Sequence, residues 1–298
     1  MLRLKNYLSK KFPYLKNLIY LLGFKPSGLP NWRKLIDKKN FIELSEKVKD
    51  KKNILICTSG GAHKLVNTFN TLIAFALSFK GAKVEFLLCD KVLPGCHIAA
   101  MDFINDKEYS KNGPKLFCNH CLLSGNYSFD GLGLYINYYS KYLNSEDFQK
   151  ADEIVNSIKN YDNIRNFKLD DIDIGEHALA GALRYFAVGE LKVIEKEISE
   201  KILKRYIKAA ILTKIAFENL INDKPFDVIF LDHGLYVPNG IIMSVAKKYK
   251  IKRIAFLASY RKNTFLFSKN DTYHKTFVNE KEELWKNLDF NKKIKDKI

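Results

Sequence analysis

The chain has 298 residues, 47% hydrophobic and 13% aromatic, enough apolar material for one large domain or two small ones and too much for wholesale disorder. Fifty Lys and Arg against 33 Asp and Glu give a net charge of +17, compatible with nucleic acid, anionic lipid or anionic small-molecule partners. No apolar run approaches the ~18–20 residues that cross a bilayer, and no small-residue cleavage site follows the apolar N-terminal part, so a cytoplasmic protein with reduced cysteines is expected.

In chain order, residues 1–30 read as a basic amphipathic segment and linker. Arg3, Lys5, Lys10, Lys11, Lys16 and Lys25 face no acid there and alternate with leucines and phenylalanines. Such a segment can lie on an anionic membrane surface, or pack on its own domain with its lysines in water. Gly23 to Pro30 supplies the linker. Residues 31–280 read as one Rossmann-like α/β domain. Ile54–Cys57 is a short buried strand and Lys64–Phe79 a helix ended by Gly81; Val84–Cys89 is a second strand. Residues 90–143 look irregular and form a cysteine-containing insertion. Helices follow over Ser145–Asn160 and Glu176–Leu191, then a long one from Ile194 to the Lys224-Pro225 step. Asp227–Leu231 is a third strand, a helix runs from Pro238 to about Tyr249, and Arg253–Ala258 is a fourth strand. Strands separated by helices imply a parallel sheet covered on both faces. Residues 281–298 form a lysine-rich helix or tail.

In such sheets ligands bind beyond the carboxyl ends of strands, and three polar clusters lie there. Thr58-Ser59-Gly60-Gly61-Ala62-His63 follows the first strand. Its glycines let backbone amides approach an anion at a helix N-terminus, which makes Ser59, Gly60 and Gly61 substrate-binding candidates; a plain glycine turn is the alternative. The spacing fits neither a dinucleotide fingerprint nor a P-loop. Asp232-His233-Gly234 ends the third strand, a carboxylate beside an imidazole that suits a general base. Adjacent strand residues point to opposite faces, so the pair need not touch, and Asp232 as a cap on backbone groups is the alternative. After the fourth strand, Tyr260, Arg261, Asp271, Tyr273 and His274 crowd one loop, with Arg261 able to grip a phosphate. Arg184 is a further binding candidate against a surface-helix reading.

Cys118-Asn119-His120-Cys121 has the spacing of a zinc half-site, which Cys89 and Cys96 could complete as a structural zinc site. The alternative is core thiols, and nothing marks one cysteine as an activated nucleophile.

The stretches ILICTSGGAHKLVNTFNTLIAFAL, LLCDKVLPGCHIAAM, CNHC, DIGEHALAGALRYF, FLDHGLYVPNG and ASYRKNTFLFSKNDTYHKT span about Ile54 to Thr276. In that order they resemble the N-terminal half of bacterial glycosyltransferase-like proteins of capsule and surface-polysaccharide biosynthesis. The resemblance implies the N-terminal lobe of a GT-B architecture and transfer of a sugar from a nucleotide-sugar donor to a glycan or lipid-linked acceptor, with no obligatory metal. It implies His63 as the base, with Asp232 and His233 as second choices. Members usually continue into a second nucleotide-binding lobe, expected here to be missing or supplied by a partner subunit. A peripheral place on the inner face of the membrane would follow. Two rivals stand beside this reading: a non-catalytic glycan-assembly subunit, and a basic nucleic-acid-binding protein, ranked below for want of any recognition motif. The sugar, acceptor, stereochemistry and oligomeric state are not legible.

Overall fold

The computed structural model describes residues 28–37, 41, 43, 52–101 and 105–276. The expected basic amphipathic segment and the lysine-rich tail lie almost wholly outside them. The elements are α1 (Trp32–Leu35), β1 (Asn53–Cys57), α2 (Lys64–Phe79), β2 (Lys83–Leu88), α3 (Asp106–Asn112), α4 (Lys115–Asp130), β3 (Tyr135–Tyr138) and α5 (Ser145–Ser157). They continue as α6 (Ile174–Phe186), α7 (Lys196–Asp223), β4 (Val228–Asp232), α8 (Asn239–Lys248), β5 (Lys252–Ala258), β6 (Phe265–Lys269) and α9 (Tyr273–Thr276). Short 3₁₀ turns include His97–Met101 and Tyr139–Tyr142.

This is a mixed α/β protein with one six-stranded sheet in the order β3-β2-β1-β4-β5-β6. The first five strands are parallel and β6 runs antiparallel to β5. The two-residue period of a strand sorts the core into two layers. Leu55, Leu87, Ile229 and Leu231 face one cluster with α5, α6, α7 and α8. Ile54, Ile56, Phe86, Phe230 and Phe256 face the other with α1, α2 and α4. The 28-residue α7 is the spine of the first layer, burying Ile202, Tyr206, Ile207 and Phe217. In the second, Phe69 of α2 stacks on Phe265 at 3.9 Å.

The stretch expected to be irregular holds α3, α4 and β3. Pairing of Glu85–Leu88 with Tyr135–Tyr138 makes β3 an edge strand. Its sequence escapes detection because Tyr135 is half exposed and buried Asn137 takes an apolar residue's place. The β5–β6 turn is too short for a parallel crossover, so the chain returns antiparallel.

Because β1 lies between β2 and β4, the connection that leaves the carboxyl end of β1 leads to β2 on one side, and the one that leaves the carboxyl end of β4 leads to β5 on the other. In an open parallel sheet that is where a crevice forms.

Candidate functional site

The loop after β1 and the loop after β4 meet through one carboxylate. Asp232 is 1% exposed. Its Oδ2 accepts the Ser59 hydroxyl at 2.8 Å, and its Oδ1 accepts the Ser59 amide at 3.3 Å and the Asn239 side-chain amide at 2.9 Å. Asn239, at the start of α8, also donates to the Asp232 carbonyl at 3.0 Å. Asp232 therefore braces two loops. The charge of Asp232 favours the protonated form of both His63 and His233.

His63 caps α2: its Nδ1 accepts the Val66 amide at 3.3 Å. A neutral ring that accepts at Nδ1 carries its proton on Nε2. His63 is thus set to offer an N–H to a ligand, which argues against it as the base. Burial lowers its pKa, against the pull of Asp232.

His233 is built differently. It leaves β4 with φ +57°, a left-handed conformation unusual for a residue other than glycine, followed by Gly234 at φ +75°. Its backbone amide still donates to Phe256 at 2.9 Å, so the strand edge is paired while the side chain is re-aimed. Its Nδ1 is buried without a hydrogen-bond partner. Burial lowers the ring's pKa; Asp232 opposes this, while the charges of His63, Arg184 and His274 reinforce it.

A third imidazole completes the group. His97, in the 3₁₀ turn after β2, is held by its amide donating to the Val237 carbonyl at 2.8 Å. Its ring stacks on Tyr236 at 4.7 Å and meets the His233 ring edge-on at 5.2 Å. Burial, then the charges of His233, His63 and Arg184, push its pKa down to about 3. Tyr273 approaches His233 with ring centroids 6.3 Å apart and itself stacks against His274 at 3.9 Å. The result is a cluster of imidazoles, neutral at pH 7, beside a buried carboxylate and within electrostatic reach of Arg184.

The positions expected from the sequence divide. His63, Asp232, His233, Ser59, Tyr273 and His274 converge, and Arg184 on α6 is exposed beside them. Asp271 instead lines a separate cleft of about 460 Å³ with His177, Lys247, Arg253 and Lys275. Tyr260, 96% exposed, and Arg261 lie in the β5–β6 turn. Gly60 and Gly61 have a packing reason: a Cβ would stand 2.5 Å from Ile98 Cγ1 at the first and 2.1 Å from the Cys121 carbonyl oxygen at the second. His97, Tyr236 and Asn239 escape sequence reasoning. The signal for His97 was a histidine just after the Pro94-Gly95 turn that follows a strand.

Two kinds of nucleophile, a serine and the thiols, are disfavoured. Ser59 is buried and spends its hydroxyl proton on Asp232. Burial pushes the thiols of Cys57, Cys89, Cys96, Cys118 and Cys121 up, away from reactive thiolate. Among the described residues no group of three or more His, Cys, Asp or Glu side chains is arranged to hold a metal, and no helix is long and apolar enough to cross a membrane.

No family model matches the chain, and no curated protein matches it. Among solved structures, a CDPS (cyclodipeptide synthase) from Fluoribacter dumoffii is similar over 76% of this chain and 93% of its own, with 11% identity and a TM-score of 0.41. At that level the similarity carries no inference about activity. It does correct the expected family: the matched protein is not a glycosyltransferase and no family model supports one. Membership of the capsule glycosyltransferase group, and with it sugar transfer from a nucleotide sugar by a GT-B lobe, is withdrawn. The physical reason is that the quoted stretches are mostly strand ends and helix starts. There, glycines answer to packing against α4 and Ile98 rather than to a donor.

Proposed function

We propose that the protein is an enzyme of proton-transfer chemistry, in which His233 removes a proton from a hydroxyl or amine of a small anionic substrate. The observation that carries this is His233 itself. Left-handed backbone and an orphaned buried ring nitrogen each cost about 1–3 kcal/mol, and both fall on one residue at the sheet's crevice. A resting ring kept neutral by burial is able to accept a proton. As the substrate's O–H or N–H bond breaks, its electron pair stays on the substrate atom, and the Asp232 charge stabilises the imidazolium that forms. The Nε2–H expected on His63 and the Arg184 guanidinium favour a negative group on the substrate, as does the chain's +17 charge.

The test is depletion of substrates from an anionic-metabolite extract, followed by mass spectrometry. Wild-type protein is expected to deplete at least one component, and His233→Gln to leave it untouched. Wild-type protein that depletes nothing, or a variant that depletes the same component equally fast, overturns the reading.

A further inference from the structure

A second set of polar side chains meets where α6 packs on α8, outside the histidine cluster. His177, 8% exposed, stands near the start of α6, and half-buried Ser244 stands on α8. The imidazole Nε2 lies 2.9 Å from the Ser244 hydroxyl, and Nδ1 lies 2.7 Å from the Leu235 carbonyl oxygen. A carbonyl can only accept, so Nδ1 carries the ring proton. In the neutral ring Nε2 then accepts, and the Ser244 hydroxyl donates to it. Helix α8 can come this close because residue 240 is glycine. A Cβ there would stand 2.3 Å from His177 Nδ1 and 2.3 Å from the Leu235 oxygen.

Helix hydroxyls commonly turn back on their own carbonyls, as Thr71, Ser128 and Thr213 do toward Asn67, Ser124 and Ala209. Ser244 instead reaches a histidine on another helix. That is what an activated nucleophile needs: a hydroxyl on a base, and a base oriented by a third group. Burial lowers the pKa of His177. The Leu235 hydrogen bond and the charges of Glu176 and Asp173 oppose this without reversing it, and Lys275 adds to the fall. The ring rests neutral and is able to take the hydroxyl proton. Both side chains line the cleft of about 460 Å³, so a ligand there can reach the pair. The lining carries both signs: Lys168 pairs with Asp173 at 2.9 Å, and Lys247 and Lys275 stand with Glu176 and Asp271. Such walls suit a small polar molecule rather than a lipid chain, which would bury them without partners.

We propose that Ser244 and His177 form a second active site, a serine–histidine dyad that hydrolyses a small polar carboxylic ester through an acyl-serine. Ser244 Oγ attacks the ester carbonyl carbon as its proton passes to His177 Nε2, and the carbonyl electron pair moves onto oxygen. Positive charge for that oxyanion comes from Lys247 and Lys275 of the lining. The oxyanion collapses, the C–O bond to the alcohol breaks, and the departing oxygen takes the proton from His177. Water then attacks the acyl-serine through the same base. Its proton goes to Nε2 and on to Oγ as the acyl–Oγ bond breaks, which releases the carboxylic acid. Water is the co-reactant, and no atom changes oxidation state. The Leu235 carbonyl holds Nδ1–H in place and steadies the imidazolium that forms in each half. The inference stands apart from the proton-transfer reading, since neither side chain belongs to the cluster around His233.

The experiment uses the full chain and two probes. An alkoxy fluorophosphonate should phosphonylate Ser244 with loss of fluoride, at about one adduct per chain, and peptide mass spectrometry locates it. p-Nitrophenyl acetate should give a burst of about one p-nitrophenol per chain before slower turnover. Ser244→Ala should lose the adduct and the burst and lower kcat/KM at least ~100-fold, whereas Ser157→Ala, on an exposed stretch of α5, should keep all three. Because a variant can fail to fold, circular dichroism accompanies each one, and heat-denatured wild type should take up no adduct. Wild type without an adduct at Ser244, or with one that the denatured chain takes up equally, overturns the proposal. So does a folded Ser244→Ala with unchanged burst and kcat/KM.

Discussion

Two buried polar regions of this molecule solve the same problem in opposite ways. On β2, Glu85 is 5% exposed, yet its Oε2 accepts Asn137 at 2.8 Å and Lys224 at 3.1 Å. The Asn137 oxygen in turn accepts the Tyr142 hydroxyl at 2.9 Å and Lys224 at 3.2 Å. Burial alone would raise Glu85, but the hydrogen bonds from Asn137 and Lys224 outweigh it and hold the carboxyl below its usual 4.5. At the carboxyl ends of β1 and β4, the ring nitrogens His233 Nδ1 and His274 Nε2 and the Asn239 side-chain oxygen have no partner. The imidazoles there are held neutral rather than paired. A closed network contributes to stability; an open one costs stability and keeps groups available to a ligand.

That contrast breaks most sharply under mutation. His233→Gln should lower turnover of any substrate found by depletion about 10²–10⁴-fold, the usual contribution of a positioned base, while denaturation shows little loss of stability. A fall in stability matching the fall in activity would move His233 to the structural side. Conversely, Lys224→Met removes one partner of the buried Glu85 carboxylate while Asn137 and Lys83 remain, and should cost about 1–3 kcal/mol in urea unfolding. Its turnover should not change.

The pH dependence separates the regions next. Histidines with lowered pKa bind a proton in the unfolded chain before they do in the folded one, so they cost stability as pH falls below 6.5. For His97 that window runs from 6.5 to about 3, at about 1.4 kcal/mol per pH unit. His63, His177, His233 and His274 are shifted the same way and add to the slope. Glu85, whose pKa is lowered, contributes stability that is present above 4.5 and lost below it as the pH falls through its folded value. Unfolding free energies between pH 7 and 5 should therefore decline through the histidines, and His97→Phe should flatten that decline by one proton's share. An unchanged slope would show that His97 is not the buried neutral group described. The smallest effect is expected from Arg184→Ala, which removes a solvent-screened charge and should raise the ring midpoints of His97 and His233, read by NMR, without changing the fold.

Much of the fold was legible because its signals are local. The helix Lys64–Phe79 matches its expected bounds, and β1, β4, α7 and β5 fall within two residues of theirs, since apolar runs bounded by Gly, Pro and charge declare them. The helix α4 was not, because Cys118-Asn119-His120-Cys121 and Ser124-Gly125 break its apolar stripe. Neither was β6, whose Phe265-Leu266-Phe267 lay in a stretch dense with polar groups. Strand ends pointed to His63, Asp232 and His233. What the sequence could not show is direction: which nitrogen of His63 is engaged, or that Asp232 is consumed by Ser59 and Asn239. His97 lies more than thirty residues beyond His63 in sequence, and only the 3₁₀ turn and the Val237 contact bring it to His233.

The central claim, that His233 rests as a neutral base poised by Asp232, is tested most directly by titrating its ring nitrogens by NMR in wild-type protein and in Asp232→Asn. The account expects a midpoint below 6.5 in wild type and a lower one in the variant, because the carboxylate that favours the imidazolium is gone. A midpoint at or above 6.5 in wild type, or one that does not fall in Asp232→Asn, would contradict it.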